Sequence, residues 1–126
     1  MVAVLPSLLS DQPPEVPQRA GLGDHFHYFR GSSGRRYLFS KVAADELADF
    51  QSAVVIFAKR AAAGRVTAHW ITLVDPFGRP EGAGRTRRWP PVQPDTLILV
   101  HLLSPGDAER RAVVADLSAE PLALAA

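Results

Sequence analysis

Four histidines are the side chains of this chain best suited to proton transfer near neutral pH. His25 and His27 are two residues apart, which on a β-strand places both imidazoles on one face, about 7 Å apart. That separation suits a shared metal ion or a general acid–base pair. Two ligands do not complete a metal site, and the sequence identifies no partner carboxylate. A strand face turned toward solvent is therefore the simpler interpretation.

His69 and His101 lie in apolar segments that are predicted to form buried strands. If these strands are neighbours, the two imidazoles come close together and form a catalytic pair of the kind that metal-independent ribonucleases use. The alternative is that each histidine is a hydrogen-bonded structural residue. The catalytic candidates are thus His25, His27, His69 and His101.

Residues 76–94 form a loop rich in proline and glycine that also concentrates positive charge. Arginines beside an aromatic ring can bind a phosphate backbone and stack on exposed bases. With two further arginines near residue 35, this loop is predicted to contact nucleic acid or a protein partner. Ordinary solvated arginines are the alternative, because the chain uses arginine far more than lysine. The candidate nucleic-acid-binding residues are Arg79, Arg85, Arg87, Arg88, Trp89, Arg35 and Arg36.

Composition limits the other classes of function. The chain has 126 residues, a net charge of +1 and no cysteine, so disulfides and thiolate catalysis are excluded. No apolar run reaches the roughly 18 residues that a membrane-spanning helix needs, and the N-terminus lacks the basic start of a signal peptide. We expect a cytoplasmic protein with no membrane association, no cofactor and no metal. The sequence does not identify its partners, and it leaves assembly into a homo-oligomer open.

Hydrophobic patterning predicts the elements that position these residues. Contiguous β-branched residues and a small-residue turn predict a central hairpin over 53–75, and alternating aromatic residues around Gly31–Gly34 predict a second hairpin over 24–42. A fifth strand is predicted over 95–103, and a short helical turn over 43–50. The expected fold class is α+β, with an antiparallel sheet of about five strands and a C-terminal helix.

The C-terminal helix is predicted to start with Ser104 as its N-cap. Its buried stripe would comprise Ala108, Ala112, Val113 and Leu117, with Glu109, Arg110 and Asp116 in water. Residues 1–23, which contain four prolines, are predicted to be an irregular N-terminal arm. The single domain would then span residues 24–119, and residues 120–126 would be a tail.

The succession RGSSGRRYLFS, AVVIFAKR, AHWITLVD and ERRAVVADL, over about residues 29–118, resembles small prokaryotic members of the GIY-YIG nuclease superfamily. In that superfamily a glycine–tyrosine strand and a tyrosine–isoleucine–glycine strand form a hairpin. A helical arginine, a helical glutamate and often an asparagine complete the catalytic site.

The residues at the corresponding positions differ from that pattern. Ala-Val-Val (53–55) stands at the first motif, Trp-Ile-Thr (70–72) at the second, and Val114 where the metal-binding carboxylate belongs. Arg79 is the only counterpart of the arginine, and the chain has no asparagine. Metal-assisted hydrolysis needs a carboxylate for the ion and a base for the water, and valine supplies neither. The resemblance therefore implies a scaffold of this family with a degenerate active site.

Three functions remain open from the sequence. The first is a non-catalytic GIY-YIG-like accessory or binding protein that contacts nucleic acid or protein through residues 76–94. The second is a phosphodiesterase or ribonuclease that depends on the histidines. The third is a structural subunit whose N-terminal arm docks on a neighbouring subunit.

Overall fold

The computed structural model describes residues 2–11, 25–81, 89 and 92–118. Within these residues, six strands form one sheet and a single α-helix packs on it. The elements are β1 (Val2–Leu9), β2 (Phe26–Arg30), β3 (Arg36–Val42), β4 (Val54–Arg60), β5 (Val66–Leu73), β6 (Thr96–His101) and α1 (Asp107–Ser118). Short 3₁₀ turns, Ala44–Asp49 and Ala62–Gly64, precede and follow β4.

The sheet has the strand order β1-β5-β4-β6-β3-β2, and every neighbouring pair is antiparallel. The two outer strands, β1 and β2, also approach each other. The main-chain N–H of Asp11, just after β1, donates to the carbonyl of Tyr28 in β2 over 2.7 Å. The sheet is therefore nearly closed. This curvature brings the end of β1, the hairpin β2–β3 and the helix α1 together on one side of the molecule.

The predicted α+β class is confirmed, but the number of strands is six rather than about five. The additional strand is β1, which lies in the segment predicted to be an irregular arm. Its pairing with β5 shifts register between Val4 and Leu8, and Pro6 lies within that irregularity. Proline has no N–H to donate, so a bulge on an outer strand is a place where a sheet tolerates it.

Two apolar clusters fill the faces of the sheet. The cluster on the α1 side joins the helix to alternate residues of the strands, among them Phe29, Phe39, Ile56, Leu99 and Val114. The cluster on the opposite face is covered by the first 3₁₀ turn through Leu47 and by the loop residue Trp89. Burial on both faces explains why β4 and β6 read as continuous apolar runs.

A bulge at His69 interrupts the alternation of side chains along β5. Phe57 of β4 pairs with Trp70 and Ala58 pairs with Ala68, so His69 has no opposite residue. Beyond the bulge the faces exchange, and Ile71 joins the α1-side cluster although Trp70 belongs to the other one. One extra residue at the bulge thus inverts which face of the sheet each later side chain of β5 joins.

The helix also begins and packs differently from its prediction. It starts at Asp107 rather than next to Ser104, and its buried residues are Val113, Val114 and Leu117. Ala108 and Ala112 are exposed. The short helical turn and both predicted hairpins are confirmed. No helix among the described residues is long and apolar enough to cross a membrane.

Candidate functional site

A cleft of about 450 Å³ opens between the start of β3, the end of β6 and one side of α1. The two residues after the GSSG turn supply cations to it, and the loop leading into α1 supplies a hydroxyl. Its polar lining includes Arg35, Arg36, Tyr37, His101, Ser104 and Glu109, and its apolar lining includes Leu38, Leu103 and Val113. This size and mixture are typical of sites that bind small molecules.

His101 is the last residue of β6 and is only 4% exposed. Its ring contacts two aromatic rings, with centroid distances of 5.3 Å to Phe39 and 5.9 Å to Tyr37. Its Nδ1 is 2.8 Å from the carbonyl oxygen of Leu38. Because a carbonyl can only accept, Nδ1 must carry a proton. In the neutral ring, Nε2 is then the acceptor and the basic atom.

The hydroxyl of Ser104 is the hydrogen-bond partner of His101 Nε2, since Ser104 Oγ lies 2.8 Å from that nitrogen. The serine is half-buried, and its main chain is held by Arg110, whose Nη1 donates to the Ser104 carbonyl over 3.1 Å. A serine hydroxyl bonded to an oriented imidazole is the first part of the nucleophile–base–orienter arrangement of serine enzymes. Here the orienting group is the main-chain carbonyl of Leu38 rather than a carboxylate.

The two arginines of the cleft, Arg35 and Arg36, differ in whether a carboxylate lies beside their guanidinium group. The guanidinium of Arg36 lies 4.4 Å from the ring centroid of Tyr28, and its Nε is 2.9 Å from Asp11 Oδ2. Arg30 shares the same carboxylate oxygen at 3.4 Å. Within the described parts of the chain, by contrast, no carboxylate pairs with the exposed Arg35. Arg35 is thus the cation of this cleft that is best placed to meet an anion.

The GSSG turn beside the cleft binds the carboxylate of Asp116 from α1. Asp116 Oδ1 accepts from Ser32 Oγ at 2.9 Å and from the Ser33 main-chain N–H at 2.8 Å. Its Oδ2 accepts from Ser33 Oγ at 2.6 Å and from the Tyr37 hydroxyl at 2.8 Å. A Cβ on Gly31 would overlap this carboxylate, so the glycine is required for the close approach.

These contacts shift the pKa of the Asp116 carboxyl and the pKa of the Tyr37 hydroxyl in opposite directions. Burial by itself would raise the pKa of Asp116, but the hydrogen bonds from Ser33, Tyr37 and Ser32 outweigh it and hold the pKa below its usual value. Burial, together with the bond to the Asp116 carboxylate, raises the pKa of Tyr37. The prediction that Asp116 lies in water was therefore wrong. It joins the helix to the β2–β3 hairpin.

The four predicted histidines do not form one site. His25 is exposed, whereas His27 is 2% exposed and lies opposite Phe39 in the β2–β3 register, so the solvent-facing interpretation of His27 was wrong. His69 and His101 are not on neighbouring strands, because β4 lies between β5 and β6.

His69 is set apart by its surroundings as well. Its Nε2 is buried without a hydrogen-bond partner among the described residues. Burial and the positive charge of Lys59 lower the pKa of His69. A neutral imidazole is therefore favoured at this position.

The residues predicted to bind nucleic acid are divided in the structure. Arg35 and Arg36 lie at the start of β3, and Arg79 follows β5, with β4 and β6 between those strands in the sheet. Trp89 stacks on Phe57 with a centroid distance of 5.9 Å and an interplanar angle of 4°, so it serves the core. Arg85, Arg87 and Arg88 lie outside the described residues.

The positions matched to the GIY-YIG motifs are apolar or buried. Residue 53 precedes β4, residues 54 and 55 begin it, and all three are buried. Trp70 packs against Phe57, and Val114 is fully buried in α1. In the described part of the chain, no group of three histidine, cysteine or acidic side chains could hold a metal ion. The relationship to that superfamily stays a prediction.

Sequence reasoning missed Ser104, Asp116 and the two serines of the turn as site residues. The spacing His101-x-x-Ser104 at the end of a strand is a local signal that could have identified the serine. Asp116 has no such signal, because its partners are more than 75 residues away in the chain. Comparison of the chain with family models, with curated proteins and with solved structures finds no match.

Proposed function

We propose that the protein binds a small anionic molecule in the cleft between β3 and α1. The observation that carries the proposal is the presence of the exposed guanidinium of Arg35 in a cleft that also holds apolar side chains and the His101–Ser104 pair. A guanidinium forms strong, directional hydrogen bonds with carboxylate or phosphate oxygens. The anionic group of the ligand would therefore lie at the β3 wall.

The other lining residues define the rest of the ligand. Leu103 and Val113 favour an apolar body, and the ring of Tyr28 with its stacked Arg36 favours a flat one. Glu109 lines the α1 wall and would repel a second anionic group. We therefore expect a ligand that carries one anionic group on an apolar or aromatic body.

A titration of the isotope-labelled full chain with phenyl phosphate, followed by NMR, tests this proposal. Amide shifts should concentrate at residues 35–38, 101–104 and 109–113. Arg35→Glu should weaken binding at least about tenfold, because a charge-assisted hydrogen bond contributes about 1.5–3 kcal/mol. Arg79→Glu is the matched control, since it reverses an exposed arginine outside the cleft. Unchanged affinity in Arg35→Glu, or shifts spread away from the cleft, would contradict the proposal.

Contact with single-stranded nucleic acid through residues 76–94 is a second candidate function. Phe77 is 76% exposed at the tip of a turn, and the guanidinium of Arg79 lies 5.6 Å from its ring centroid. Asp75 Oδ1 fixes this turn by accepting from the main-chain N–H groups of both residues, at 2.8 and 3.0 Å. An exposed ring beside a cation is an arrangement on which a base can stack.

The two functions predict opposite results in the same two variants. With a fluorescently labelled single-stranded oligonucleotide as the ligand, Arg79→Glu should weaken binding and Arg35→Glu should retain it. Loss of oligonucleotide binding only in Arg35→Glu would instead place nucleic acid at the cleft.

A further inference from the structure

We infer that Ser104 is a nucleophile activated by His101, and that the cleft accepts an ester of the proposed anionic class. This inference rests on the proposed function for the location of the substrate, but the reactivity of the serine can be measured separately. The class of substrate is a carboxylic ester that carries an anionic group for Arg35. The class of reaction is acyl transfer to Ser104 followed by hydrolysis.

The hydrogen bonds around His101 define the direction of proton transfer. Nδ1 donates to the Leu38 carbonyl at 2.8 Å, and in the neutral ring this leaves Nε2 as the acceptor, 2.8 Å from Ser104 Oγ. The aromatic contacts with Phe39 and Tyr37 hold the plane of the ring. The ring is thus fixed by three neighbours with its basic nitrogen against a hydroxyl, which is what a general base for a serine requires.

The two serines of the GSSG turn lack this environment. The hydroxyls of Ser32 and Ser33 donate to the Asp116 carboxylate, whose pKa is held below its usual value. A carboxylate of that kind is too weak a base to take a serine proton. The Ser104 hydroxyl, in contrast, is bonded to a basic imidazole nitrogen and lines the cleft.

The reaction balances with water as the second substrate. A bond forms between Ser104 Oγ and the ester carbonyl carbon while His101 Nε2 takes the hydroxyl proton. The bond between that carbon and the alcohol oxygen then breaks, and His101 returns the proton to the leaving alcohol. Water attacks the acyl-serine, its proton passes through the same nitrogen, and the free acid and the Ser104 hydroxyl are restored.

The experiment is covalent labelling of the full chain by a fluorophosphonate probe, with the modified residue located by peptide mass spectrometry. The phosphorus atom bonds to Ser104 Oγ, fluoride leaves, and His101 takes the proton. We expect the label on Ser104, no label in Ser104→Ala, and labelling at least about tenfold slower in His101→Gln because the general base is lost. Ser40→Ala is the matched control on β3 and should label within about twofold of the wild-type rate.

The mapping of the wild-type label keeps the test independent of how well the variants fold. A label on another residue, or no label on the folded wild-type chain, would overturn the inference. Labelling of Ser104 together with failure of phenyl phosphate to bind would overturn only the proposed function. Binding of phenyl phosphate without labelling would overturn only the role of Ser104.

Discussion

At the scale of single residues, Asp116 shows how one carboxylate joins three parts of the fold. It extends from α1, its acceptors are filled by the GSSG turn, and the Tyr37 hydroxyl links it to β3. Tyr37 in turn contacts the ring of His101. The position of the candidate base therefore depends on a carboxylate that is itself outside the cleft.

The substitution Asp116→Asn tests this role. The substitution removes the negative charge that accepts all four hydrogen bonds, and the two hydroxyls at Oδ2 would have to turn and accept from the amide nitrogen of asparagine. We expect a loss of about 2 kcal/mol in the free energy of unfolding, measured by urea denaturation. Asp95→Asn, at an exposed residue 3.7 Å from Lys59, should change it by less than about 0.5 kcal/mol. Equal losses in the free energy of unfolding would show that the hydrogen bonds of Asp116 stabilise the fold no more than the exposed Asp95–Lys59 pair does.

The pH dependence of the same pair follows from the lowered pKa of Asp116. Its contribution to stability is complete above the unfolded-state pKa of about 3.9, and it is lost as pH falls through the lower pKa of the folded state. The difference in stability between the wild type and Asp116→Asn should therefore be constant near neutral pH and shrink below about pH 4. A difference that grows in acid would contradict the assignment.

At the scale of elements, the turn between β4 and β5 has a residue poorly suited to its conformation. The turn Ala62–Arg65 closes by a bond of 3.2 Å from the Arg65 N–H to the Ala62 carbonyl. Its two central residues, Ala63 and Gly64, have φ angles of 61° and 73°. Glycine adopts this left-handed conformation freely, but alanine does so at a cost of about 1 kcal/mol. Asparagine followed by glycine is the sequence that such hairpin turns prefer.

We therefore expect Ala63→Asn to stabilise the protein by about 1 kcal/mol, which for a chain of this length raises Tm by about 4 °C. Ala63 is exposed, so the larger side chain meets no neighbour. Ala62→Asn is the matched control, because Ala62 has no positive φ to relieve. Thermal unfolding followed by circular dichroism measures both variants. An unchanged Tm in Ala63→Asn would mean that the strain in this turn is negligible.

The sequence predicted those elements whose signals are local. The aromatic alternation around Gly31–Gly34 and the apolar runs of β4 and β6 were sufficient for their strands, because each signal lies within the element itself. β1 was missed because Pro6 reads as a strand breaker, and only the register with β5 shows that a bulge accommodates it. The bulge at His69 and the Asp116 network depend on distant partners, which a pattern along the chain does not contain.

At the scale of the whole molecule, the near closure of the sheet depends on the short segment after β1. The Ser10 hydroxyl accepts from the Val66 N–H at 2.8 Å, which fixes the segment to β5. The next residue, Asp11, donates its N–H to Tyr28 and pairs its carboxylate with Arg30 and Arg36. Ser10 and Asp11 thus link β5 to β2, and they bridge the gap between the outer strands β1 and β2. The ion pair between Asp11 and Arg36 also determines how far the positive charge of Arg36 is neutralised beside the cleft.

The variant Asp11→Ala separates the effect of this residue on the closure of the sheet from its effect on the charge of Arg36. Exposed ion pairs contribute at most about 1 kcal/mol, so the global free energy of unfolding should change little. Among the described residues, no ladder of main-chain hydrogen bonds joins β1 to β2, so loss of the Asp11 carboxylate should appear as local opening of this gap. We expect the β2 amides that bond to β3 to exchange up to about fivefold faster by NMR, since 1 kcal/mol corresponds to that factor, while β4 amides stay unchanged.

The same variant releases Arg36 from its carboxylate, so phenyl phosphate should bind the cleft more tightly than in the wild type. If β2 and β4 exchange faster by the same factor, the segment supports the whole fold rather than the closure. If exchange changes only in β2 but phenyl phosphate affinity falls, the Arg36–Asp11 pair positions the arginine for the ligand instead of competing with it.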